Sequence, residues 1–88
     1  MQKNSAKVYV DVLAVFDTDG RIMPLKLRWI DGTSYMIDKV LDVRPTPSLK
    51  AGGQGDRYTI RIQGKERYMF LEHDADLTSN KLRWFVGR

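Results

Sequence analysis

His73 is the single histidine of this 88-residue chain, and it stands between Glu72 and Asp74. An imidazole flanked by carboxylates is the arrangement of a general base or of one arm of a metal site. The chain has no cysteine, so any further ligand to a zinc ion there would be a carboxylate or water. Ser48 has no histidine close to it in sequence to act as its base. His73 therefore reads first as a strand-end residue and second as the centre of a small enzyme or ligand-binding site. No catalytic residue, metal ligand or cofactor is assigned.

The aspartates invite the same test. Asp17, Asp19 and Asp31 fall in turn-forming stretches, where a carboxylate caps backbone amides. Asp17-Thr18-Asp19-Gly20 has two residues in common with a calcium loop, but its glycine comes too early and no closing glutamate follows. Asp11 interrupts an apolar strand, and it is expected to face solvent beside a cross-strand lysine or arginine. Ser48 to Gly55 contains the glycines and lysine of an anion nest, without the order of a nucleotide-binding loop or a following helix.

Basic residues interleaved with strand positions form the strongest pattern. Arg57 and Arg61 share one strand face, with Lys65 in the turn that follows. Lys81 and Arg83 alternate with Leu82 and Trp84, Arg67 joins either group, and Arg44 and Lys50 stand at the edge. On neighbouring strands these cations would form one outer surface for an anion, and small barrels bind DNA or RNA in this way with aromatics stacking on bases. Tyr58, Tyr68 and Phe85 are the candidate stacking residues, while Asp56, Glu66 and Glu72 lie in the same region and offset the charge.

Protein contact is the competing class, and it is the first reading. Val12 to Phe16 and Trp84-Phe85-Val86 are apolar on both faces, more than a wetted strand needs. Leu13, Val15 and Phe85 are the candidate partner-facing residues, fitting a homodimer or docking onto a larger protein. The simpler alternative is that both are central strands, with the second face covered by the loop over 44–56. A non-catalytic binding or accessory module is thus expected, with nucleic-acid binding as the alternative and a site near His73 as the second alternative.

The elements that must hold these residues are strands. Val8, Val10, Val12, Ala14 and Phe16 alternate with Tyr9, Asp11, Leu13 and Val15. Leu25 to Trp29 alternates after Pro24, and Asp31-Gly32 predicts a two-residue type I′ hairpin into Thr33 to Ile37. The positions Val40, Leu41 and Val43 keep one inward face only through a bulge or a sharp coil, so that one strand serves both sides of a barrel; a single helical turn over 37–41 is the alternative. Pro45, Pro47, Gly52, Gly53 and Gly55 mark a long loop over 44–56. Tyr58, Ile60 and Ile62 alternate next, Gly64-Lys65 predicts a turn, and a strand returns over 66–72. A shorter register instead pairs Ile62 with Arg67. Asp76 and Leu77 fit one short helical turn before the last strand, Lys81 to Val86. Tyr35, Tyr58 and Tyr68 are expected at the rim, rings packed and hydroxyls wet.

Six strand segments joined by short turns predict an all-β domain, a small strongly curled antiparallel sheet or partly open barrel. At 10.2 kDa the chain suffices for one domain over 7–88, preceded by a flexible tail over 1–6. Hydrophobic residues make up 42%, which argues against disorder. No apolar run reaches the length of a membrane span or a signal core, so a cytoplasmic location without a membrane partner is expected. The net charge of +4 lies wholly beyond residue 43, where nine bases face five acids. That excess is what directs attention to the second half.

Trp29, Asp31-Gly32, Tyr35, Ile37 and Val40-Leu41, followed by Tyr58-Thr59-Ile60-Arg61 and Tyr68, resemble a family of small uncharacterised bacterial all-β domains. More distantly, the pattern is similar to short β-rich domains associated with Y-type DNA-repair polymerases. It spans about residues 25 to 72, in core and turn positions. The resemblance implies a β fold and adds weight to nucleic-acid work. A Pro/Gly-rich loop stands here where those polymerase-associated domains carry tryptophan-rich segments.

Overall fold

A computed structural model of the chain describes residues 7–47, 54–73 and 81–87. Every regular element among them is a strand: β1 (Val8–Phe16), β2 (Ile22–Arg28), β3 (Ser34–Met36), β4 (Lys39–Pro47), β5 (Gln54–Ile62), β6 (Lys65–His73) and β7 (Leu82–Val86). They form one antiparallel sheet in the order β3-β2-β1-β7-β6-β5-β4. The sheet is curled into a half-barrel, as the alternation predicts. No helix among the described residues is long and apolar enough to cross a membrane.

Six successive antiparallel pairings separate β3 from β4, so these two edge strands run in the same direction. They are one path through the molecule, broken at Ile37-Asp38. There the Ile37 N–H donates to Leu25 O on β2 and the Asp38 N–H donates to Arg61 O on β5. Two residues thus carry the chain from one sheet edge to the other, and the sheet must curl for them to reach. This crossing is why seven strands replace the six expected. The bulge expected near Val43 is present: Val40 faces Ile60 and Asp42 faces Thr59, which leaves Leu41 as the extra residue. The helical alternative over 37–41 does not form, because β4 begins at Lys39.

The turns follow sequence chemistry, with two corrections. Asp31-Gly32 is not a two-residue type I′ turn. Gly32 N–H donates to Trp29 O and Trp29 N–H to Thr33 O, which makes Ile30, Asp31 and Gly32 a three-residue loop with Gly32 at φ 90°. The Asp17 turn has the same pattern, with Gly20 at φ 83°. In both turns an aspartate Oδ1 accepts backbone N–H bonds, Asp17 from Asp19 and Arg21, Asp31 from Thr33. These bonds favour the charged form and hold both carboxyls below the usual aspartate range, led by Arg21 N–H at Asp17 and Thr33 N–H at Asp31.

The second correction concerns β5 and β6. The turn is Gln63-Gly64, at φ 52° and 77°, and Ile62 pairs with Lys65. A type I′ turn needs positive φ at both central positions, and this glycine is placed to supply the second. Against the Gly64-Lys65 turn and against the Ile62–Arg67 register, the return strand starts at Lys65. Moving the turn by one residue shifts each pairing by two, so side chains keep their face while their partners change, and Ile62 meets Lys65 in place of Arg67.

The inner face holds the core. Leu27, Tyr58, Ile60, Ile62, Met69, Leu71 and Trp84 are buried together, with Val10, Val12, Trp29, Tyr35, Ile37 and Val40 packed against them. Met69 and Ile60 meet water hardly at all. Tyr58 is not a rim residue: its ring lies 5.0 Å from Trp84 and its hydroxyl donates to Ile22 O. The loop expected over 44–56 is narrower, since Arg44 to Pro47 pair with Arg57 to Gln54 as continuing ladder. Proline fits there because β4 is an edge strand. The tail over 1–6, the Ser48 to Gly53 part of the nest, and the turn around Asp76 and Leu77 lie outside the described residues.

Candidate functional site: the outer faces of the sheet

Ladder partners share a face, so the pairings sort each candidate residue. Arg57 and Arg61 lie outward on β5, opposite Arg44 and Lys39 of β4. Both pairs set cation against cation, an arrangement that ordinarily costs a sheet stability. Asp42 answers Arg44 through a 2.7 Å bond, and Glu66 is the ladder partner of Arg61 on the other side. The guanidinium of Arg57 lies 4.7 Å from the ring centre of exposed Tyr68, and its Nε is shielded without a hydrogen-bond partner. Lys39 was not among the predicted residues; its place opposite Arg61 depends on the Val40–Asp42 bulge.

The remaining predicted cations disperse. Arg83 is outward on β7, but it donates to Glu72 at 3.0 Å and stacks 4.5 Å from the Tyr9 ring. Lys81 is exposed just ahead of β7, and Lys50 lies outside the described residues. Lys65 and Arg67 pair with Ile62 and Ile60, whose side chains point inward. They therefore stand on the concave face, away from Arg57 and Arg61. The predicted cations that lie on described strands separate into an outer group, Arg44, Arg57, Arg61 and Arg83, and an inner pair, Lys65 and Arg67.

Leu13 and Val15 stand outward on β1, 59% and 43% exposed. Across β2, Met36 is outward on β3 and 63% exposed, with Lys26 between it and Leu13. Asp11 is on the same face and pairs with Arg28, as expected for a carboxylate in an apolar strand. Phe85 does not belong to this surface. It is 3% exposed, stacked on Phe70 at 4.9 Å and met edge-on by Tyr9 at 5.7 Å. The second face of β7 is covered by these rings and by Lys7, whose Nζ is 4.9 Å from the Phe85 centroid. Tyr58 and Phe85 are thereby lost as stacking candidates, and Tyr68 alone of the three stands exposed.

Beside these rings lies a cluster that the linear sequence hides. Glu72 on β6 is buried, and it accepts from Lys7 Nζ at 3.2 Å, Tyr9 Oη at 3.0 Å and Arg83 Nη2 at 3.0 Å. Lys7 just precedes β1, Tyr9 is on β1 and Arg83 is on β7, so this carboxylate ties three strands. His73 Nε2 lies 3.7 Å from Asp56 Oδ2, a distance for charge attraction rather than a hydrogen bond. Among the described residues no group of three or more His, Asp or Glu side chains could hold a metal ion. Compared with known protein families, curated proteins and solved structures, the chain matches none.

Proposed function

We propose that this protein is a non-catalytic binding module that acts through protein–protein contact on the outer face of β1, β2 and β3, pairing with a second copy of itself or docking onto a larger protein. The observation that carries this reading is the exposure of Leu13, Val15 and Met36 on one sheet face. Clustered apolar side chains on a sheet face mark contact surfaces more often than isolated ones do. The Asp11–Arg28 pair beside them gives that face a polar border. Sedimentation velocity across a wide concentration range tests self-association. The expected result is a mass that rises with concentration and returns to the monomer in Leu13→Asp; a monomer at every concentration removes the second copy as partner.

A second reading, nucleic-acid binding by the outer face of β4 and β5, is favoured by the like-charged pairs Arg44/Arg57 and Lys39/Arg61 and by Arg57 on Tyr68. A polyanion would relieve the repulsion between these cations. Affinity for single-stranded DNA or RNA should then fall steeply with salt and weaken in Arg57→Ala and Arg61→Ala. Affinity that does not change with salt discards this reading.

A further inference from the structure

Within the curl, beside the Gln63-Gly64 turn, lies a pocket of about 320 Å³. Buried Leu27 and Ile62 contribute apolar surface, Trp29 and Tyr35 contribute rings, and Lys65 and Arg67 contribute charge. Among the described residues no carboxylate lines it. Neither Lys65 nor Arg67 has an ion-pair partner among the described residues, whereas Arg21, Arg28, Arg44 and Arg83 each hold a carboxylate. Lys65 and Arg67 are two apart on one strand, so both turn toward the same space.

We propose that this pocket binds a small amphipathic anion, a planar aromatic ring carrying one carboxylate, sulfonate or phosphate. The apolar lining and the two rings suit the flat body of such a ligand. The guanidinium of Arg67 offers paired N–H donors to an oxyanion, and Lys65 adds a second positive charge. Size narrows the class: the volume is at the small end of the roughly 300–1,000 Å³ range of ligand pockets, enough for one or two fused rings. The site is on the concave face, and it depends on neither the Leu13 surface nor the Arg57 surface.

The test is a fluorescence titration of the full chain with anilinonaphthalene sulfonate. Saturable one-site binding is expected, weakened about tenfold in Lys65→Met and in Arg67→Met, as loss of one charge-assisted bond predicts. Leu13→Asp should leave it unchanged, which keeps this result separate from the outer-face contact. The neutral analogue phenylnaphthylamine should bind at least about tenfold more weakly, a comparison that needs no variant. Competition by an aromatic carboxylate against a nucleoside monophosphate then tells which source of anion the pocket prefers. Absence of saturable binding, equal affinity for the neutral dye, or a signal lost in Leu13→Asp but kept in Arg67→Met would overturn the proposal.

Discussion

Replacing Glu72 by glutamine keeps the shape of the side chain and removes the charge that Lys7 and Arg83 share. One acceptor oxygen survives, and an amide NH2 takes the place of the other, facing donors. The Glu72 side chain is 9% exposed, so its bonds are worth more than surface pairs. Lys7 and Arg83 are 26% and 51% exposed, and water recovers much of what they lose. Between these limits the expected loss is about 1–2 kcal/mol, which for a domain of this size lowers the melting midpoint by roughly 4–16 °C. The β1–β7 ladder has three residue pairs, and the Glu72 cluster reinforces it, so that seam should loosen first. Urea melts at low and high salt, with amide exchange on the same samples, measure both effects. Salt should narrow the gap between variant and parent by screening Lys7 from Arg83. A loss under about 0.3 kcal/mol, or β1 amides that exchange no faster than those of β5, would refute the reasoning.

Two further outcomes follow from local geometry. Gln63 is the described residue other than glycine that takes a positive φ, and Gln63→Asn should raise stability by about 0.5–1 kcal/mol in a thermal melt; an unchanged or lower midpoint contradicts the assigned turn. Burial, with the nearby charge of Asp56 adding to it, pushes the Tyr58 hydroxyl above its ordinary value. The unfolded tyrosine then loses its proton first, so stability present below about pH 10 declines as pH rises through the folded value. Tyr58→Phe should be less stable near neutrality by about 0.5–1.5 kcal/mol, through loss of the bond to Ile22 O, yet decline less at alkaline pH; parallel alkaline limbs in the two proteins would contradict this.

The strands were legible because their apolar residues alternate, and Val8 to Phe16 and Tyr58 to Ile62 needed nothing more. Even the bulge near Val43 could be read, since no unbroken register keeps Val40 and Val43 on one face. What sequence could not supply was register. Whether Gln63-Gly64 or Gly64-Lys65 makes the turn is a small local energy difference, but it decides whether Lys65 lies in the turn or on the ladder opposite Ile62, and which β5 residue each β6 side chain meets. Pairings between strands distant in the chain were equally hidden. Phe85 is an apolar residue on an outer face from sequence alone, and only the adjacency of β7 to β1 and β6 brings Tyr9 and Phe70 to cover it. The Glu72 cluster joins residues 65 and 11 positions apart, which no spacing rule anticipates.

The prolines of β4 bear on how copies of this chain can meet. An open sheet rim ordinarily templates foreign strands, and continued stacking of that kind leads toward fibrils. Pro45 and Pro47 are two residues apart on this rim strand, and neither nitrogen can donate to an incoming backbone. The opposite rim, β3, is three residues long and gives an invading strand little to hold. Growth by backbone zipping is therefore blocked at one border and short of purchase at the other.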